Sequence, residues 1–322
     1  SFRRTSSKGF TPSLDLYLRH DFDSRNTLEA EVDGTLSNQD YRYLSQYTFN
    51  DGTVNEYISD VDGRRRSLIT EVHYGHSFSN RTYFTAGFQN SVSHNRNTYL
   101  DNGFRPVLTD NNNYIYASLQ QQVGKVFLNI STGMKMIWMK NDFNKRHFIR
   151  NLSSLQANWQ INQKWNLGGQ FSYQPGIPGL TSLTDYPQQT SPYLISNGNP
   201  DLKVSNYFRT MVYSSFNLQK FSVSARLAHY INRDLVANVL TYMGNRTFLS
   251  HSVNFHGTDA TAAVLSMSLR DIHGFGFNLN AYYQYFNSKG DGWKHTLGSF
   301  SGDISLWWNK GPFTISYWHK LP

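Results

Sequence analysis

Apolar and polar residues alternate at a period of two along nearly the whole 322-residue chain. Successive side chains of an extended strand point to opposite faces, so this period marks strands with two unlike faces. Trp165, Leu167, Gly169, Phe171 and Tyr173 fall on one face, and Asn166, Gly168, Gln170, Ser172 and Gln174 on the other. Leu14, Leu16 and Leu18, then Leu28, Ala30 and Val32, then Phe221, Val223 and Ala225, then Phe275, Phe277 and Leu279 repeat the pattern. Helical periodicity is hard to find, and the chain reads as all-β. Two architectures satisfy such alternation: a soluble sandwich, whose outer faces are wet, and a membrane barrel, whose outer face is apolar.

The connections separate the two. Short polar turns are expected at residues 23–26, 79–81, 124–125, 161–164, 217–220, 271–274 and 309–312. Between them, in alternation, lie breaks at 50–66, 96–110, 141–146, 175–202, 243–245 and 287–292, several of them long. Short turns at one end of every hairpin and mostly longer loops at the other is the pattern of an outer-membrane barrel. Aromatic residues bracket the short turns: Phe22, Phe78 and Tyr83, Trp159 and Trp165, Phe216 and Phe221, Phe275, and Trp308 with Phe313. Such residues form the girdle that a barrel carries at the membrane interface. In a soluble sheet the same pairs would only stabilise hairpins.

The fold expected is a transmembrane antiparallel up-and-down β-barrel, with about fourteen strands after a ragged polar lead. Strands at 27–49 and 246–270 are long enough to project beyond a crossing of about ten residues. A mean hydropathy of −0.55 and the lack of any long apolar run exclude a membrane protein built of helices. An aromatic content of 16% excludes a disordered chain. There is no cysteine, hence no disulfide and no thiolate site. The net charge is +8, but the basic residues are scattered, and the one run, Arg64-Arg65-Arg66, reads as a solvated loop. No nucleic-acid partner is expected.

One block carries a resemblance. Pro175-Gly176-Ile177-Pro178-Gly179-Leu180, followed by Tyr193 to Gly198-Asn199-Pro200-Asp201-Leu202-Lys203, is similar to a loop-to-strand junction of the TonB-dependent receptor-like outer-membrane β-barrel proteins of Bacteroidetes. Residues 124–135, ending in Gly133-Met134-Lys135, and the long stretch from Thr247 to Arg270 with its hairpin resemble other segments of that family. The resemblance implies a place in the outer membrane of a Gram-negative cell and a barrel of about 22 strands around a plug. Residues 1–322 would then be one partial barrel domain, with plug, TonB box and remaining strands outside it. It further implies outer-membrane lipid around the barrel, a TonB complex acting through that plug, and a possible surface lipoprotein partner.

Candidate site residues follow from the parity of the apolar faces. Arg19, Glu29, Glu31, Glu71, Gln120, Gln156, Asn158, Gln170, Arg226, Asn278, Asn280 and Asp303 should face the lumen. Tyr99, Phe104, Tyr186 and Tyr193, in the long loops, either stack on a ligand such as a sugar or pack the loops together. Gly198, Asn199, Pro200, Asp201 and Leu202 should serve as a bend that leads the loop into the next strand. Asp51, Glu56, Asp60 and Asp62 lack calcium-loop spacing and read as a solvated loop, and His73 and His76 face opposite ways. No metal site, cofactor or catalytic constellation is expected. Three functions remain: an energy-coupled nutrient transporter, a passive porin or non-transporting surface barrel, and a soluble secreted glycan-binding β-protein.

Overall fold

The computed structural model describes residues 2–100, 103–191, 193–290 and 292–321. In chain order the strands are β1 (Phe2–Phe10), β2 (Ser13–Asp21), β3 (Asn26–Thr48), β4 (Val54–Ser79), β5 (Thr82–Tyr99), β6 (Val107–Val123), β7 (Val126–Asn141), β8 (Lys145–Gln160) and β9 (Trp165–Gly176). A helical turn α1 (Leu180–Leu183) follows, then β10 (Gln188–Ser191), β11 (Leu194–Asn197), β12 (Ser205–Asn217), β13 (Phe221–Gly244), β14 (Thr247–Ile272), β15 (Phe275–Gly290), β16 (Trp293–Lys310) and β17 (Phe313–Leu321). All belong to one sheet of 17 strands.

The main ladder is an antiparallel meander. It passes from β3 neighbour by neighbour to β9, across to β12, and on to β17. β1 and β2 lie end to end along β3, so the expected ragged lead is a strand. The break between them is at Thr11-Pro12, where a proline has no N–H to give, and Pro12 only accepts a bond from the Leu36 amide, 3.0 Å away. With β1 and β2 taken together and β10 and β11 set aside, the meander has the fourteen positions that the turns forecast. β10 and β11 are extra strands inside the 175–202 break, and β11 pairs parallel with β14 from Leu194↔Phe248 to Asn197↔His251.

One break is much shorter than the sequence suggested. The one placed at 50–66 is a tip of a few residues, because β4 already begins at Val54. Arg64-Arg65-Arg66 is therefore mid-strand and not a loop. The alternation simply continues above the apolar zone with polar residues on both faces, which hides a strand from a pattern search. Asp51, Asp60 and Asp62 likewise sit on the tip and on β4, and each carboxylate is engaged by an arginine: Arg246, Arg42 and Arg64.

Where the core sits decides between sandwich and barrel. The large apolar residues of the sheet are exposed: Ile115 is 50% exposed, Val212 50% and Leu227 54%. The fully covered apolar side chains among the described residues are few, and three of them, Leu183, Leu202 and Val204, belong to the segment between β9 and β12. Among the described residues no second sheet covers the apolar face. A soluble protein rarely leaves so large a contiguous apolar surface bare, whereas a barrel in lipid must, because the solvent outside it is hydrocarbon. The expected girdle residues Phe22, Phe78, Trp159, Trp165, Phe275 and Phe313 are all exposed at the short-turn end. Phe216, Phe221 and Trp308 are half-exposed on the aliphatic parity, whereas Tyr83, itself exposed, lies over Gly75 on the polar face, where a Cβ on the glycine would meet its hydroxyl.

The same pairing recurs on the polar face. Tyr116 lies over Gly87, Tyr213 over Gly168 and Tyr207 over Gly176, each ring filling the space a glycine leaves. Alanine at Gly168 would put its Cβ within 2.6 Å of three Tyr213 ring and hydroxyl atoms. Gly168→Ala should therefore lower stability by about 1–3 kcal/mol, measurable as a lower urea midpoint for unfolding from lipid vesicles.

Candidate functional site

Register places all twelve residues read as lumen-facing on one face of the sheet, opposite the aliphatic residues. Arg19 opposes Glu29, Glu31 opposes Glu71, Gln156 opposes Gln170, and Asn280 opposes Asp303. Gln120 reaches Gln156 through Asn129, Asn158 reaches Arg226 through Gly168 and Tyr213, and Asn278 lies two residues from Asn280. At one end of this face a network joins Glu29 to Arg19 (3.4 Å) and to His73 (3.0 Å), while Glu71 accepts from Gln89 (2.8 Å) and Tyr116 (2.5 Å). Charges held this way cost less than isolated ones, and the face stays hydrophilic along its length.

Above the apolar belt β3, β4 and β5 continue with the same parity and form the wall of a cleft of about 800 Å³. Tyr41, Tyr43, Tyr57 and Tyr99 line it, with Gln39, Asn95, Asn97 and Arg65 among them. Its roof is β10, through Gln188, Gln189 and Thr190. Among the described residues no carboxylate lines this cleft. Arg65 has no hydrogen bond or ion pair among the described residues and is exposed. Planar aromatic faces, amides and a free guanidinium can grip a ring-bearing or hydroxyl-rich ligand that is neutral or anionic.

The roof is held from several sides. Tyr57 donates to the Gln189 carbonyl at 2.7 Å, and the hydroxyls of Tyr47 and Tyr193 are 2.9 Å apart. Asn141, at the end of β7, donates to Thr184 at 2.7 Å, and Asn144 to the Leu183 carbonyl at 3.3 Å. The Gly198-Asn199-Pro200 bend closes onto α1: the Gly198 amide bonds to the Thr184 carbonyl at 3.0 Å and the Asn199 amide to the Ser182 carbonyl at 2.6 Å. Leu202 is buried behind it, while Asp201 is exposed, with Arg146 3.9 Å away. The segment 175–204 is thus a folded cap, tied to β3, β4, β7 and β14.

Of the four loop aromatics, three meet. Phe104 stacks on Tyr186 with centroids 4.0 Å apart and planes 9° from parallel, and Tyr99 lies 6.1 Å from Phe104. Phe143 completes the stack. Tyr193 goes elsewhere, edge-on to Tyr47. In this arrangement Phe104, Tyr186 and Tyr193 link loops, Tyr99 also lines the cleft, and Tyr99, Phe104 and Tyr186 together line a neighbouring cavity of about 280 Å³. Tyr41 and Tyr43 lie on a strand, away from the long loops where ligand groups were expected, and Tyr57 and Arg65 lie in the stretch 50–66 that reads as a solvated loop. Their signal was aromatic residues on the polar-face parity of a strand that outlasts the belt.

Across the mouth the two longest hairpins touch at their tips. Arg246, between β13 and β14, forms an ion pair with Asp51, between β3 and β4, and its guanidinium lies 4.1 Å from the Phe49 ring centroid. The turn that presents Arg246 has left-handed backbone at Gly244, Asn245 and Arg246. The Arg246 hydrogen bond, with that of Thr53, holds the Asp51 carboxyl far below the usual carboxylate range. A depressed carboxylate contributes above its unfolded pKa, ~3.9, and loses that contribution as the pH falls towards the folded value. The tip-to-tip distance, read by a pair of spin labels, should stay unchanged from pH 8 to pH 5 and lengthen in Arg246→Gln.

The comparisons with known proteins agree with this architecture. The family described as "Outer membrane protein beta-barrel family" matches residues 20–319. No curated protein matches by sequence. Among solved structures, the pyoverdine outer membrane receptor FpvA from Pseudomonas aeruginosa PAO1, bound to pyoverdine, has a TM-score of 0.68 at 10% identity, over 98% of this chain and 53% of its own. The copper transporter OprC gives 0.66 at 10% identity, over 96% and 58%. The siderophore receptor PiuA from Acinetobacter baumannii gives 0.62 at 9%, over 97% and 54%. The chain therefore spans little more than half the length of these structures. With the bare aliphatic belt, the polar inner parity and the family match over 300 residues, the chain is an outer-membrane β-barrel protein of that family.

Proposed function

We propose that the chain is the larger part of the barrel of a TonB-dependent importer, as its resemblance to TonB-dependent receptors implies. The observation that carries this reading is the capped cleft at the long-loop end of a lipid-belted barrel. In such barrels the long loops are extracellular, so the cleft is where a nutrient arrives, and about 800 Å³ suits a small molecule. The polar face lines the lumen and meets a plug, which the TonB complex moves, so that the work is transport and not covalent chemistry. β2 and β17, at the two ends of the ladder, are exposed almost throughout. Long exposed edges invite pairing, and further strands, to about 22 in all, would cover them. The likeness in fold to siderophore and copper receptors supports this class, and the tips and cap offer a surface to a lipoprotein partner.

Uptake by cells that carry the protein tests the proposal. Transport of the cognate nutrient should cease when the TonB complex is deleted, and Arg65→Ala should weaken surface binding by about ten- to a hundredfold, the loss of one charge-assisted hydrogen bond. Uptake that persists without the TonB complex would establish a passive barrel instead.

A further inference from the structure

The Arg64-Arg65-Arg66 run is split by the strand. By register Arg65 shares the odd parity of the cleft wall, whereas Arg64 and Arg66 take the parity of Leu68, on the aliphatic face, with Arg64 also bordering the cleft. Register then assembles a basic strip on that outer face. Arg66 opposes His94, His94 opposes Thr109, Thr109 opposes Lys140, and Lys140 opposes Lys145. One step further out, Arg64 opposes Arg96.

Like charges placed directly opposite each other destabilise a sheet, yet the strip holds two such pairs, Arg64 with Arg96 and Lys140 with Lys145. Only Arg64 has a carboxylate, Asp62 at 3.2 Å. Arg66, Arg96, Lys140 and Lys145 are exposed and have no hydrogen bond or ion pair among the described residues. By contrast Arg233, outward on β13, is neutralised by Asp259 at 2.6 Å. Directly below the strip the same face carries Leu68, Val92, Asn111 and Trp138, and Leu36 lies level with Arg66, so the charges sit at the upper edge of the apolar belt.

We propose that this strip binds the phosphate groups of a glycolipid headgroup in the outer leaflet. An arginine fork matches a phosphate, and an anion there relieves both like-charge pairs. The lipid's acyl chains would lie against Leu68, Val92 and Trp138, with the phosphates one residue pair higher. The proposal rests on the long-loop end being extracellular, the orientation adopted above. Its test does not depend on transport.

The protein, purified in a non-ionic detergent, is titrated with diphosphorylated lipid A, with dephosphorylated lipid A and with inorganic phosphate, and thermal stability is followed. Diphosphorylated lipid A should raise the melting temperature, and the other two should not. Arg66→Ala/Arg96→Ala/Lys140→Ala should need on the order of a hundredfold more lipid for the same shift, at roughly fivefold per basic residue near an anionic surface. Arg65→Ala, one residue away on the other face, should respond like the wild type even though its substrate binding is weakened. Arg66→Lys/Arg96→Lys should retain most of the shift, which separates lost charge from lost folding. An unchanged response of the triple alanine variant overturns the proposal. So does an equal shift with inorganic phosphate, an adventitious ion only, or with dephosphorylated lipid, an apolar contact only.

Discussion

Ile115→Arg should prevent the barrel from folding into a bilayer, or lower its stability there by about 2–4 kcal/mol, the cost of a guanidinium at the membrane midplane. Ile115 is half exposed, and on a soluble protein such a substitution would be worth little, usually within ±0.5 kcal/mol. Its position makes it costly. It sits on β6 between Phe88 of β5 and Met134 of β7, all on the aliphatic parity, nine residues before the β6–β7 turn at Gly124. Ser118→Arg, three residues on and on the opposite face, is the control and should fold with little loss. Urea titration in vesicles of defined lipid reads both, and equal tolerance of the two would remove the belt.

Gly198→Val should detach the cap from the mouth. A Cβ at Gly198 would lie 2.4 Å from the Thr184 carbonyl oxygen, 2.6 Å from that of Thr181 and 2.7 Å from that of Ser182. These are backbone atoms of α1 and its end, so no side chain can swing aside. Overpacking costs about 1–3 kcal/mol where side chains can shift, and here the segment itself must move, withdrawing the covered Leu183 and Leu202. The expected result is rapid proteolytic cleavage within 175–204 and loss of ligand binding at the cleft, with the barrel's heat-modifiable migration unchanged. A variant with wild-type protease resistance would show that the cap does not depend on this close approach.

The belt and the strand number were legible because lipid imposes a rule on every strand at once: apolar on one parity, polar on the other. Leu14, Leu167 and Phe277 reveal their faces without any knowledge of neighbours. Above the belt the rule lapses. Val54 to Arg66 carries polar residues on both parities, so a continuous strand looked like a loop, and the arginine triplet lost its two-sided meaning. The cap was opaque for another reason. Its contacts, Tyr57 with Gln189 or Asn141 with Thr184, join residues 132 and 43 positions apart, and no local pattern records such pairings. The Gly198 block was recognisable as a bend, but its role is close packing against α1, which only coordinates reveal.

The absence of native cysteine allows a single cysteine to be placed at each position from 127 to 136 on β7. Spin labels there, in the protein reconstituted into lipid vesicles, report collision with oxygen dissolved in the bilayer. The account predicts a period of two, with high oxygen accessibility at Leu128, Ile130, Thr132, Met134 and Met136 and low accessibility at Phe127, Asn129, Ser131, Gly133 and Lys135. A flat profile, or one of opposite phase, would contradict it.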